Sequence, residues 1–179
     1  MEGDMIVWWL LACTGKETVT GCDACDGVCE QVEQPELGHA HVDGEVAYAD
    51  TPPTSGDHNS CWAEWGAHAT EVPDENWVHN LEHGGVVFLW NCPMGCLDDA
   101  AAAAAAEAWA TASLEPGRWL ISPYTDMDPG WAAVSWQHRL TMGCLDTVAL
   151  QEFYDARVGQ GREDVTSDPP DDCETTGGM

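Results

Sequence analysis

The stretch from Thr51 to Trp90 leaves the backbone few choices. It opens with Thr51-Pro52-Pro53-Thr54-Ser55-Gly56, where two prolines fix φ and a glycine permits a reversal. It closes with Gly84-Gly85 and the apolar run Val86-Val87-Phe88-Leu89-Trp90, which reads as a buried strand. The glycine pair breaks any helix or lets another backbone approach closely. Trp62, Trp65 and Trp77 flank a segment around Pro73 and Asp74 that reads as a loop.

Three histidines lie inside this frame. His58 follows the stiff proline turn, and His79 and His83 sit four residues apart in Val78-His79-Asn80-Leu81-Glu82-His83. That spacing puts both rings on one face of a helical turn, and also of a strand. Two imidazoles on one face begin a metal site, and His58 would complete three-point ligation. His41 or Glu82 would add a fourth ligand or orient one of the imidazoles. Imidazoles suit copper or zinc, and an oxidising compartment puts copper(II) slightly ahead. Met94, Met127 and Met142 are soft donors for copper(I), although methionine is more often core. Against all this stands a structural role, with His58 capping a turn and His79 paired with Glu82 or a carbonyl.

Other chemistries compete. His79-Asn80-Leu81-Glu82-His83 matches H-x-x-E-H, the inverted zinc-protease motif, with Glu82 as the catalytic residue if the protein is a hydrolase. That motif needs a continuous helix, and Gly84-Gly85 before a buried strand argues against one. A copper-dependent oxidase would use Tyr48 and the tryptophans as electron carriers. A non-catalytic cell-surface module would use its acidic shell as an interface. Ser55, Asp57 and His58 spell a hydrolytic triad only on paper, since near-adjacent side chains do not form that geometry and no G-x-S-x-G elbow exists.

Charge narrows the partners. The chain has 32 acids against five Lys plus Arg, a formal charge of -27 over 179 residues. Such a surface repels phosphate backbones and anionic membranes, which excludes nucleic acid as a partner, and it attracts cations. The protein partner, if any, is open. Ten tryptophans carry donors to satisfy and belong at core edges or along a cleft.

Nine cysteines point to export into an oxidising compartment, periplasmic or cell-surface. Leu10-Leu11-Ala12-Cys13 after an apolar run looks like a lipobox, so residues 1–13 read as a lipoprotein signal segment with a lipid anchor at Cys13. The acidic start Met1-Glu2-Gly3-Asp4 departs from the basic start of a signal peptide. The other eight cysteines suit four disulfides, Cys92 and Cys96 closing one turn. Residues 14–38 read as a cysteine-rich tether or small lobe, 39–163 as the core domain, and 164–179 as an acidic tail.

The fold class reads as α+β, one domain with two main helices against one face of a largely antiparallel, disulfide-stapled sheet. Leu97 to Leu114, with seven consecutive alanines, and Thr147 to Arg157 are the helices. Val46–Ala49, Val86–Trp90, Arg118–Ser122 and Trp131–Trp136 are the strand candidates.

The pieces His41-Val42, Tyr48, Pro52 to His58, Val78 to Gly84, Pro123-Tyr124, the Trp136 strand and Phe153-Tyr154 resemble the bacterial domain of unknown function 3105. The resemblance covers roughly His39 to Glu163. It implies an extracytoplasmic, often membrane-anchored protein and carries no mechanism. The chain departs from the pattern in its extra cysteines and in His68, where an aromatic is expected.

Overall fold

The computed structural model describes residues 29–91, 97–171 and 173. In chain order the elements are β1 (Cys29–Glu33), β2 (Gly66–Ala67), α1 (Asp74–Glu82), β3 (Val86–Asn91), α2 (Leu97–Ser113), β4 (Trp119–Pro123), β5 (Gly130–Ser135), β6 (His138–Met142) and α3 (Thr147–Arg157). The six strands form one sheet in the order β1-β6-β5-β3-β4-β2. The pairs β1–β6, β6–β5 and β5–β3 are antiparallel. The pairs β3–β4 and β4–β2 are parallel. The fold is therefore α+β with a mostly antiparallel sheet.

Strand β3 explains why both faces need cover. Val86 and Phe88 point into one core with Ala106, Ala110, Leu150 and Phe153, so α2 and α3 cover that face. Val87 and Leu89 point into a second core with Trp77, Val78 and Leu81, so α1 covers the other. A strand apolar at every position cannot leave one face to water. The expectation of helices on one face only is corrected by this. The alanine run allows close approach of α2: Ala106 and Ala110 are fully buried, and Trp109 meets Phe88 edge-on at 5.4 Å. Helix α3 begins at Asp146, whose carboxylate accepts from the backbone N–H groups of Val148 and Ala149.

Five elements differ from the sequence reading, which marked neither β2 nor β6 as a strand. Helix α1 occupies the segment read as a loop. Pro73 precedes its first turn, Asp74 and Glu75 favour its positive end, and the glycine pair ends it. Gly85 N–H donates to Asn80 O at 2.9 Å and Gly84 N–H to Leu81 O at 3.0 Å, the two bonds of a Schellman motif. Gly84 takes the required left-handed φ of 80°. Strand β1 lies in the segment read as a tether, paired along β6. Val46–Ala49 is not a strand; the Val46 N–H is taken by the Glu75 carboxylate at 2.6 Å.

The C-terminal segment is a strap across the end of α1. Gly159 N–H donates to Gly84 O and Glu163 N–H to Glu82 O, both at 2.8 Å. Buried Arg118 joins the two, donating to His83 O and pairing with Asp164. Trp62 and Trp65 both donate to Ser167 O, and a Cys61–Cys173 disulfide ties the strap to the loop before α1. Cys29 and Cys144 are disulfide-bonded as well. The lipobox, the tether cysteines Cys22 and Cys25 and the Cys92–Cys96 turn lie outside the described residues. Among the described residues no helix is long and apolar enough to cross a membrane.

Candidate metal centre

The proline turn and α1 converge behind the strap. Val42 N–H donates to His58 O and His58 N–H to Ala40 O, pinning the His41 segment beside His58 as a parallel bridge. Gly56, at φ 144°, lies so close to the Tyr48 ring that a Cβ would stand 2.8 Å from it. Tyr48 in turn donates its hydroxyl to Asp57 O. From the other side the last turn of α1 presents His79 and Glu82. His41, His58, His79 and Glu82 each offer one donor atom, and these four atoms lie within 4.8 Å of one another. His58 is fully buried, His79 and Glu82 nearly so, while the side chain of His41 is 51% exposed.

Hydrogen bonds fix which nitrogen faces the centre. A carbonyl only accepts, so His58 Nδ1 donates to Gly56 O at 2.8 Å. His79 Nδ1 donates to Asn59 O at 2.8 Å. In the neutral rings both Nε2 atoms then carry lone pairs. His58 Nε2 stands 3.1 Å from Glu82 Oε2. Two acceptors at that separation need a proton or a metal cation between them. Donors bound to one ion at ~2.0–2.1 Å sit roughly 3.3 Å apart at the tetrahedral angle. The His41 Nε2 to Glu82 Oε2 separation is 3.9 Å.

Burial lowers the His79 pKa to about 3, aided by His83, His58 and His41 and opposed by the bond to Asn59. This keeps the ring neutral, the form that ligates metal. Burial likewise lowers His83 to about 4, opposed by Glu163.

His83, which the sequence spacing paired with His79, is not among the four. It caps α1, its ring centroid 4.3 Å from that of His79 and 4.6 Å from that of Trp62. Its Nε2 turns to Glu163 Oε2 at 3.5 Å. The H-x-x-E-H segment does run on a helix, correcting the argument from the glycines. Yet Glu82 faces His58 within the donor cluster, which is not the place of a base beside two zinc-binding histidines. The paper triad is taken apart: Ser55 Oγ accepts from Leu37 N–H and Asp57 Oδ1 from Ala40 N–H. Met142 is core, Met127 packs against the second core, and Met94 lies outside the described residues. His68 bonds Glu64 O, away from the cluster.

Sequence reasoning missed the strap's contribution. Arg162 Nε lies 3.4 Å from Glu82 Oε1, and its Nη1 reaches both Glu36 oxygens at 3.0 and 3.1 Å. Trp136 Nε1 also donates to Glu36. A cleft of ≈ 270 Å³ lined by His39, His41, Glu82, Arg162 and Glu163 opens onto the cluster. Only a basic residue in an acidic segment marked Arg162 in the sequence, and nothing tied it to Glu82 some 80 positions earlier.

Neither the curated proteins nor the solved structures give a match. The family profile described as a protein of unknown function, DUF3105, matches residues 39–171, which holds every member of the cluster and the strap as far as Asp171. The chain belongs to that family.

Proposed function

We propose that the protein binds one transition-metal ion through His41, His58, His79 and Glu82, copper slightly ahead of zinc, with His83 packed against His79 as its neighbour. One observation carries this reading: His58, locked by Gly56 so that Nε2 is its lone-pair atom, faces a buried carboxylate oxygen at 3.1 Å. A cation between them removes the conflict and gains a second neutral imidazole from His79. The donor set of imidazoles and one carboxylate, with no thiolate or thioether, suits copper(II) and zinc and disfavours copper(I). The cysteine content and the disulfide at Cys61 support export, and lipidation at Cys13 belongs to the same proposal.

The test is metal content by mass spectrometry on full-length protein with its disulfides intact. Wild type should carry about one copper or zinc per chain, and His58→Gln/His79→Gln should carry none while keeping its circular dichroism. Wild type that stays metal-free after addition of both ions would remove the proposal and leave the histidines as framework.

A further inference from the structure

The geometry points to the cleft beside the strap as the ion's passage, with His39 and Glu163 as outer ligands through which a hydrated divalent cation reaches and leaves the buried site. This rests on the proposed metal binding and specifies its kinetics: the ion exchanges. Structural metal sites are closed. Here three of the four donors are buried, but the fourth, His41, has half of its side chain in solvent. His41 and Glu82 also form walls of the open cleft, so two donors border water.

The mouth continues the same chemistry outward. His39, its side chain 50% exposed, donates Nδ1–H to Glu36 Oε1 at 2.9 Å. The carboxylate fixes that tautomer, so Nε2 is the lone-pair atom at the mouth. Glu163, 58% exposed, also lines the cleft and pairs with His83 at 3.5 Å. Arg162 lines the cleft too, its charge offset by Glu36 and Glu82. A cation drawn by the chain's negative field therefore meets an imidazole and a carboxylate before it meets His41 and Glu82. Residues that hold an ion only in transit speed its arrival and its departure alike.

The experiment is stopped-flow mixing of full-length protein with copper(II), followed by release to excess chelator. Quenching of Trp62, whose ring is 5.2 Å from that of His79, reports occupancy. His39→Gln/Glu163→Gln should slow uptake and release together by about tenfold, within the range of electrostatic guidance, with Kd changed by less than about threefold. His68→Gln/Glu152→Gln makes the same change of composition away from the cleft and should leave both rates alone. Wild-type rates in the first variant would overturn the passage, as would faster release with unchanged uptake, which marks true ligands. Wild type that takes up neither copper nor, by mass spectrometry, zinc would defeat the metal reading itself, and the passage with it.

Discussion

Asn80 shows what a single residue can hide. It sits between His79 and Leu81, fully buried on α1, and clamps Ala63 from both sides: its Oδ1 accepts from Ala63 N–H at 2.9 Å and its Nδ2 donates to Ala63 O at 3.0 Å. Ala63 belongs to the loop that carries Asn59 and Trp62, so this clamp keeps the His79 partner in place. Asn80→Ala would strand two buried backbone groups, each costing roughly 1–3 kcal/mol. Urea denaturation should show a loss of that order, and a variant within about 0.5 kcal/mol of wild type would contradict the clamp. The histidines announced themselves through residue type and spacing. Asn80 did not, because an amide in a polar block looks like surface until the fold buries it. His41 was legible only as a secondary candidate, since its meeting with His58 depends on a bridge between distant loops.

Elements whose own sequence decides them were readable: the alanine helix α2, the apolar strands β3, β4 and β5, and α3. Helix α1 was not, because Pro73 and Gly84-Gly85 look like loop residues. They are its two ends. Proline suits the start of a helix and glycine the residue after its end. Strand β1 was also invisible, its pairing with β6 being made across more than a hundred residues. The reading of α1 makes a prediction at this scale. Gly84→Ala must place a side chain in the left-handed region, costing roughly 1–2 kcal/mol. Its Cβ would also stand 3.0 Å from Gly159 Cα and push the strap away. Gly143→Ala, whose Cβ meets nothing within 4 Å, is the control. Denaturation midpoints should fall for the first and barely move for the second; equal midpoints would mean that the helix end tolerates the change.

On the scale of the whole molecule two opposing responses to acid are built in. The formal charge of -27 means that lowering the pH relieves repulsion across the surface, which favours the compact state. Asp74 works in the same direction. Burial raises its pKa to about 6, so the folded chain takes up a proton there before the unfolded chain does. His79 and His83 work the other way. Their folded pKa values are lowered to about 3 and about 4 from an ordinary 6.5. Below pH 6.5 the unfolded chain therefore binds more protons at these two rings than the folded chain, and their share of stability, complete above 6.5, is lost as the pH falls. A comparison isolates them from the acidic coat. Metal-free wild type and His79→Gln/His83→Gln share every carboxylate, so the difference in their unfolding free energies cancels the surface term. That difference should move against wild type as the pH drops from about 7 towards about 4.5 and be flat above neutrality. A difference independent of pH would mean that the rings are as accessible to protons in the folded chain as in the unfolded one. A metal ion should suppress the acid sensitivity until protons displace it, because the nitrogen that would take the proton at His79 is the one that faces the ion.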